Sequence, residues 1–218
     1  TNMGYDAYAH YLMDQEWTVA VKGASRAEVE DASRQSASKK SFEGFAVTGG
    51  EVKLLLDEDA LLMGGNVEDT FKLNGKPYRG ALTFSVNGTT MTAVNVVDLE
   101  EYLYGVVPSE MPQSYEKEAL KAQAVSARTY AMTKLGAHTG SGYQLCDGTN
   151  CQVYKGYSNE AASTTAAIDA TKGEVACYNG SPIEAVFSSS TGGYTESSEN
   201  VWWAVVPYLR AVPEIAEC

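Results

Sequence analysis

Two observations predict an α+β fold for this chain. First, Asn-Gly pairs at 74–75, 87–88 and 179–180 each separate two strand-like runs, which is a strong hairpin signal. Second, apolar residues recur at helical spacing between about residues 98 and 135. With 218 residues, of which 44% are hydrophobic, the chain is long enough to bury a sizeable core.

The first part of the chain is predicted to form a small βαβ-like appendage over residues 1–57, ahead of a larger domain over residues 58–218. Ser25 and Glu28 have the spacing of a capping box, which predicts a helix that runs to about residue 36. Strand-like runs stand on both sides of this helix. The strand candidates are residues 17–21, 44–48 and 51–56.

Residues 71–97 are predicted to form two consecutive β-hairpins. The first turns at Asn74-Gly75. The second joins residues 81–86 to residues 90–96 through Asn87-Gly88. Together they supply the antiparallel β part of the larger domain.

Three helices are predicted after these hairpins. Asp98 is a good N-cap for the first helix, and the loop at 108–112 is expected to end it. Ser114 is expected to cap the second helix, which has a narrow stripe of small apolar residues with Arg128 at its edge. The third helix covers about residues 159–172. The apolar face of the first helix is Leu99, Tyr102, Leu103 and Val106, and that of the second is Leu120, Ala124, Ala127, Ala131 and Leu135.

A short hairpin is expected after the third helix. Gly173 is a normal C-terminal cap for that helix. Residues 174–178 and 183–187 then flank the Asn179-Gly180 turn. Cys177 lies in this hairpin, where we expect a small buried apolar residue rather than a functional thiol.

Glu110 differs from an ordinary surface glutamate because it lies between two prolines, in the run Val-Val-Pro-Ser-Glu-Met-Pro at 106–112. Each proline fixes its own φ and restricts the residue before it. Desolvation beside apolar residues favours the protonated form of a carboxyl group, which a general acid needs near neutral pH. The alternative is a structural glutamate that binds backbone amides or pairs with a nearby arginine.

Four motifs occur in the order typical of one protein family. They are the run at 98–112 that contains Pro-Ser-Glu-Met-Pro, Glu-Ala-Leu-Lys-Ala-Gln-Ala-Val-Ser-Ala-Arg-Thr-Tyr-Ala at 118–131, Cys-Asp-Gly-Thr-Asn-Cys-Gln-Val-Tyr at 146–154, and Phe-Ser-Ser-Ser-Thr-Gly-Gly-Tyr-Thr-Glu-Ser-Ser at 187–198. From about residue 71 onward the chain resembles the stage II sporulation protein D family, which includes amidase enhancers. The resemblance implies a groove for peptidoglycan glycan strands and a lytic transglycosylase with Glu110 as its catalytic residue.

In such an enzyme one carboxyl group serves as both acid and base. It protonates the oxygen of the MurNAc–GlcNAc β-1,4 bond and then takes a proton from the MurNAc 6-hydroxyl, which leaves a 1,6-anhydro end. Glu196 and Glu199 are the candidates for a second carboxylate if the reaction is hydrolytic. The alternative function is a non-catalytic, glycan-binding enhancer of an N-acetylmuramoyl-L-alanine amidase.

The resemblance also implies two sources of substrate contacts. Arg128 is expected to border the groove near Glu110, and Arg79 to reach toward it, with an ordinary surface or boundary arginine as the alternative for each. The polar segment 188–198 is rich in hydroxyl groups and glycine, which suit hydrogen bonds to sugars at close backbone approach. Independently of the resemblance, Trp202, Trp203 and Tyr208 add aromatic faces that can stack on sugar rings, with burial of one or more of them in the core as the alternative. The residues of the segment predicted to bind the glycan are Ser188, Ser189, Gly192, Gly193 and Tyr194.

His138, Cys146 and Cys151 are candidate zinc ligands. Zinc sites are commonly built from cysteine and histidine, and the spacing of the two cysteines is at the upper limit of the usual range. Some members of the family carry zinc at a similar site beside the groove, although Asn150 stands where relatives often have histidine. The alternative is a local disulfide between the two cysteines. A zinc here is expected to orient the loop beside Glu110 rather than to act as a Lewis acid.

Composition limits the partners further. The net charge of −12 argues against nucleic acid, whereas an uncharged glycan is compatible with it. His10 and His138 are the only histidines and neither has a nucleophile motif nearby, which disfavours a Ser/His hydrolase. An extracellular adhesion domain is the structural alternative, but it leaves the motif around Glu110 unexplained.

The expected location is the cell envelope, outside the cytoplasm. No apolar run approaches the roughly 18 residues of a membrane helix, so we expect secretion, or anchoring by a segment absent from this chain. The expected partners are glycan strands and, in addition, a cell-wall amidase or another wall-remodelling protein. Residues 1–57 are loosely similar to wall-binding modules, with a packing appendage as the alternative.

Overall fold

The computed structural model describes residues 18–21, 44–49, 52–57, 62–63, 70–87 and 90–213. Within these ranges the chain combines helices with short antiparallel strand pairs, and the strands form no closed barrel. The α+β prediction is therefore confirmed. The predicted boundary between residues 57 and 58 stays a prediction.

The first three strands form an antiparallel sheet in the order β1-β2-β3. They are β1 (Thr18–Val21), β2 (Gly44–Gly49) and β3 (Val52–Asp57), and they confirm the three strands predicted for the N-terminal region. The antiparallel pairing of β1 with β2 differs from the parallel pairing of a βαβ unit. The helix predicted to begin at Ser25 lies outside the described residues.

Two further sheets precede the helices. They contain β4 (Leu62–Met63), β5 (Phe71–Leu73), β6 (Lys76–Tyr78), β7 (Ala81–Asn87) and β8 (Thr90–Val96). Strands β5 and β6 pair as the predicted hairpin, with Asn74 and Gly75 both at positive φ in its turn. Strands β7 and β8 also pair as predicted, with β4 on the other edge of β7. Residues 88–89 of the second turn lie outside the described residues.

Helix α1 (Leu99–Glu110) begins as predicted and ends later than predicted. The Asp98 side chain accepts a hydrogen bond from the Glu100 amide at 2.9 Å, which confirms the N-cap. The helix continues through Pro108 and ends at Glu110, so it ends inside the 108–112 segment, but the first three residues of the predicted loop are helical. A proline removes one helical hydrogen bond, and burial of the surrounding apolar face offsets that loss.

Helix α2 (Lys117–Lys134) differs from its prediction at both ends. Its N-cap is Glu116, so the assignment of Ser114 as the cap is wrong. The chain first makes a turn in which the Tyr115 amide donates to the Pro112 carbonyl, and the helix begins only after that turn. Leu135 is 53% exposed because it lies past the last helical turn, and its assignment to the apolar stripe is also wrong. The other stripe residues are buried as predicted: Leu120, Ala124, Ala127 and Ala131.

The remaining elements are short. The third predicted helix is α3 (Ala162–Ala170), which is shorter than predicted at both ends and has Thr171 rather than Gly173 as its C-cap. A separate 3₁₀ turn at Tyr157–Asn159 precedes it. The predicted hairpin follows as β9 (Cys177–Tyr178) and β10 (Ser181–Pro182). Cys177 is exposed on this surface hairpin, so the expectation that it is buried is wrong. Helix α4 (Ser198–Trp202) lies near the C-terminal end of the described chain.

The core lies where α1, α2 and α3 meet. Alanines on α2 let the helices approach closely, because they place little side-chain volume between the helix axes. The fully buried apolar residues of this contact are Leu103, Val106, Val107, Ala124, Ala127, Ala131 and Ile168. Among the described helices, none has the length and apolar character needed to cross a bilayer.

Candidate functional site

Glu110 is the last residue of α1 and is partly buried. The backbone N–H of Val153, 43 residues further along the chain, donates a hydrogen bond to Oε1 at 2.6 Å. Oε2 receives no hydrogen bond from the part of the chain that the structure describes. One carboxylate oxygen is therefore anchored, and the other is available to a ligand.

The helix end that carries Glu110 is held from two sides. Asn159 donates to the Ser109 hydroxyl at 2.8 Å, and that hydroxyl donates to the Gly105 carbonyl at 2.6 Å. On another side, the Tyr154 ring packs on the backbone of Gly105, where an added Cβ would lie 2.6 Å from a ring carbon. These contacts fix the backbone from which the Glu110 side chain projects.

The three predicted zinc ligands lie together. One ligand atom from each of His138, Cys146 and Cys151 lies within 4.8 Å of the other two. His138 Nε2 is 3.2 Å from the Cys151 sulfur, and the His138 ring stacks on Tyr143 with 5.1 Å between ring centroids. Both cysteines are free thiols.

The two thiols differ electrostatically. Burial disfavours the Cys146 thiolate, but hydrogen bonds from Cys151 and other neighbours outweigh this and lower the pKa of Cys146. Burial raises the pKa of Cys151. The Asn150 amide is one of the donors to Cys146, at 3.9 Å. Asn150 therefore contacts Cys146 by a hydrogen bond. The three candidate ligands remain His138, Cys146 and Cys151.

This donor set fits a zinc ion. Two sulfurs and one imidazole nitrogen are common zinc ligands, and three protein ligands leave a fourth tetrahedral position for water or another group. Binding of the metal would require both thiols to lose their protons. Hydrogen bonds favour this loss at Cys146, whereas burial opposes it at Cys151.

The cluster and Glu110 lie close to one another. Cys151 and Val153 are two residues apart, so one short segment contacts both. The pKa of the Tyr102 hydroxyl is raised, first by burial and then by negative charge on surrounding groups that include Cys151 and Glu110. The structure thus joins two predicted sites that are well separated in sequence.

Arg128 does not border a groove, and that prediction is wrong. Its side chain is 1% exposed, and two hydrogen bonds of 2.8 and 2.7 Å join it to the Glu100 carboxylate. It also donates to the backbone carbonyls of Glu174 and Ile168. The guanidinium therefore links α2 to α1, to α3 and to the segment after α3. It is surrounded by protein and has almost no contact with solvent.

The predicted glycan-binding loop lies at the surface, and its binding role stays a prediction. Ser188, Ser189, Gly192, Gly193 and Tyr194 are all exposed, with Tyr194 at 68%. In the described part of the chain, none of the five makes a hydrogen bond with Glu110. The preceding residue, Phe187, contacts the Tyr130 ring edge-on with 6.3 Å between centroids, so the loop begins beside α2.

The two candidates for a second carboxylate are engaged inside their own loop. Glu196 accepts hydrogen bonds from Asn200 and from the Ser197 amide, and these lower its pKa. Glu199 pairs with Arg210, which lowers the pKa of Glu199. Both groups are therefore ionised near neutral pH and already have partners.

A second arginine, Arg79, contributes to the site's architecture in a way that the sequence did not reveal. It forms two hydrogen bonds with Glu160, of 2.6 and 2.8 Å, and lies over the Tyr157 ring at 4.9 Å. These contacts attach the first hairpin to the 3₁₀ turn whose Asn159 supports Ser109. Sequence patterns could not show this pair because 81 residues separate its members.

Comparison with known proteins identifies this part of the chain. The family model described as "Stage II sporulation protein" matches residues 87–178, which include Glu110 and the three candidate zinc ligands. These residues belong to the stage II sporulation protein D family. The family predicted from the four motifs is confirmed.

Three relatives give the extent of the similarity. An uncharacterised protein of Brachyspira hyodysenteriae is 36% identical over 200 residues, which cover 90% of this chain and 54% of that protein. The amidase enhancer of Bacillus subtilis is 47% identical over 148 residues, which cover 67% of this chain and 20% of the enhancer. The stage II sporulation protein D of B. subtilis is 36% identical over 146 residues, which cover 60% of this chain and 43% of that protein. The chain thus spans about half of these relatives or less.

Proposed function

We propose that this protein acts on the peptidoglycan of the cell envelope, as a lytic transglycosylase with Glu110 as its general acid and base. The observation that carries the proposal is the asymmetric setting of the Glu110 carboxyl group. Val153 holds Oε1, while Oε2 has no hydrogen-bond partner in the described chain. A carboxyl group held in position with one accessible oxygen can give a proton to a bound substrate and take one back.

The reaction needs no second carboxylate. Glu110, protonated on Oε2, donates its proton to the oxygen of the MurNAc–GlcNAc bond as the C1–O bond breaks. The 2-acetamido oxygen of the substrate stabilises positive charge at C1. The MurNAc 6-hydroxyl then attacks C1 and returns its proton to Oε2, and the product ends in a 1,6-anhydro ring.

The state of the other candidate acids supports this mechanism over a hydrolytic one. A hydrolase with two carboxylates requires a free base or nucleophile on the far side of the scissile bond. Glu196 and Glu199 hold their own loop together through Asn200 and Arg210. A mechanism with one carboxyl group uses Glu110 alone and leaves these contacts intact.

A zinc ion bound by His138, Cys146 and Cys151 fits the proposal as a structural element. Bound there, zinc would supply three rigid bonds that hold the loop, and no proton transfer depends on it. Since Cys151 precedes Val153 by two residues, a fixed cysteine restricts the amide that anchors Glu110. The Ser188–Tyr194 loop is proposed to contact the glycan, on the strength of its hydroxyl groups and exposure.

The second candidate function is enhancement of a cell-wall amidase without catalysis. The observation that favours it is the 47% identity with a relative named amidase enhancer. Both functions predict binding to glycan strands. They differ in whether the Glu110 proton is needed.

The deciding experiment incubates the protein with purified glycan strands, with and without peptide stems, and identifies the products by mass spectrometry. We expect 1,6-anhydro-MurNAc ends from the unchanged protein and none from Glu110→Gln, which keeps an acceptor for Val153. Glu116→Gln is the matched control, because Glu116 is exposed at the start of α2 and its side chain makes no capping bond. Reducing MurNAc ends, or full activity in Glu110→Gln, would contradict the transglycosylase proposal.

The enhancer function is tested in the same preparation by adding a cell-wall amidase and measuring stem-peptide release. Equal stimulation by the unchanged protein and by Glu110→Gln, without any anhydro product, would support the enhancer. Stimulation that disappears with Glu110→Gln would favour catalysis as its cause.

A further inference from the structure

We propose that Gln152 is a positioning residue for Glu110, one that couples the His138–Cys146–Cys151 cluster to the catalytic carboxyl group. The inference rests on the proposed function for its catalytic consequence. Its structural part, that Gln152 positions the Val153 amide against Glu110, can be tested without measuring activity.

Gln152 is a fully buried polar side chain with both ends of its amide engaged. Its Nε2 donates to the Ala127 carbonyl of α2 at 3.2 Å. Its Oε1 accepts from the Tyr102 hydroxyl of α1 at 3.3 Å. Burial raises the pKa of Tyr102, so this hydroxyl keeps its proton and remains a donor. The amide therefore ties the segment to two helices of the core.

The neighbours of Gln152 contact two different sites. On one side, Cys151 lies 3.2 Å from His138 in the candidate zinc cluster. On the other side, the Val153 amide holds Glu110 Oε1 at 2.6 Å. Consecutive Cα atoms are joined at a fixed distance of about 3.8 Å, so the position of Gln152 restricts the positions that both neighbours can take.

The two hydrogen bonds of Gln152 require an amide group, and a side chain of the same size without one cannot make them. A methionine has similar length and fits the same space, but it supplies neither the donor for Ala127 nor the acceptor for Tyr102. Without these two bonds residues 151–153 are held only by the contacts of Cys151 and Val153. The Val153 N–H can then move out of hydrogen-bonding alignment with Glu110 Oε1. Displacement of a catalytic group by about 1 Å can cost up to 100-fold in rate.

The test compares Gln152→Met with Thr171→Val in the complete chain. Thr171 is also buried and makes side-chain hydrogen bonds, but these go to Ala167 and Ile168 within α3 and do not reach the segment. We expect both variants to fold with lowered thermal midpoints. Only Gln152→Met is expected to lose about tenfold or more in kcat on glycan strands, with little change in KM.

A readout without turnover is the amide resonance of Val153 in a ¹H–¹⁵N spectrum. In the unchanged protein, Glu110→Gln is expected to shift this resonance, because the charged acceptor is replaced by a neutral one. In the Gln152→Met background the same change should leave the resonance almost unmoved. An equal shift in both backgrounds, or a kcat for Gln152→Met that matches Thr171→Val, overturns the proposal.

If Gln152→Met does not fold, Tyr102→Phe removes one of the two hydrogen bonds and keeps the ring packed against Tyr154, and it should weaken the Val153 response in the same direction. An unchanged response in Tyr102→Phe then counts against the proposal. If the unchanged protein cleaves no glycan, the proposed function fails, while the Val153 resonance still decides the role of Gln152.

Discussion

Arg128 and Glu100 form an ion pair inside the protein, with Nε to Oε1 at 2.8 Å and Nη2 to Oε2 at 2.7 Å. The Arg128 side chain is 1% exposed and the Glu100 side chain 13%. The pair joins the first turn of α1 to the middle of α2. Since a planar guanidinium matches a carboxylate through two parallel hydrogen bonds, the pair holds the first turn of α1 against α2.

Arg128→Met is expected to destabilise the fold strongly. It leaves the Glu100 carboxylate in the interior without its counterion, and loss of one member of a buried pair costs roughly 3–5 kcal/mol. The control is Arg210→Met, which breaks the pair with Glu199, where both side chains are more than a third exposed. That loss should be much smaller, because solvent screens an exposed ion pair. Urea denaturation of both variants measures the difference, and equal losses would contradict the buried role of Arg128.

Zinc is expected to co-purify with this protein at about one ion per chain and to stabilise it, because bound metal adds its binding free energy to folding. Cys151→Ser should remove the metal and lower the thermal midpoint. Cys177→Ser is the control, since its thiol is exposed on the β9–β10 hairpin, outside the cluster. Metal analysis with a free-thiol count checks both variants. Metal-free protein with Cys146 joined to Cys151 would end the zinc proposal.

Gly105→Ala is expected to destabilise the end of α1 that carries Glu110. The added Cβ would lie 2.6 and 2.8 Å from two carbons of the Tyr154 ring, and overpacking of this kind costs about 1–3 kcal/mol. The ring cannot withdraw freely, because its hydroxyl donates to Asn95 at 2.8 Å. Gly140→Ala, where a Cβ meets nothing within 4 Å, is the control. Thermal unfolding should separate the two variants, and unaltered stability in Gly105→Ala would show that the ring gives way at no cost.

Gln123→Met is expected to stabilise the protein by about 1 kcal/mol. Among the described residues, the Gln123 Nε2 is buried without a hydrogen-bond partner, and an unsatisfied buried donor carries a desolvation penalty that an apolar side chain of similar size avoids. Thr129→Val, on the same helix, should do the opposite, because the Thr129 hydroxyl bonds to Val125 and Ala176. Chemical denaturation measures both. A loss of stability in Gln123→Met would mean that its amide has a partner of its own.

Local sequence determined much of the secondary structure. Asn74-Gly75 and Asn179-Gly180 predicted hairpin turns because both residues of each pair take positive φ, which few other residues do readily. Asp98 predicted a helix start because its carboxylate reaches an amide two residues away. The end of α1 was missed because Pro108 is unfavourable in a helix by itself, and only the packing of Val106 and Val107 in the core offsets its cost.

The candidate site was likewise predicted in part from the sequence and in part only from the tertiary structure. The sequence by itself determined the family, and it singled out Glu110 and the three zinc-ligand candidates, because each lies in a short motif whose residue types carry the chemistry. Only the tertiary structure decided that Arg128 pairs with Glu100 in the core, and that the Val153 amide holds Glu110. Helical periodicity places a side chain on a face but cannot say which partner covers that face. Hydrogen bonds between residues 28 and 43 positions apart exist only once the chain has folded, since burial and long-range pairing are properties of the assembled core.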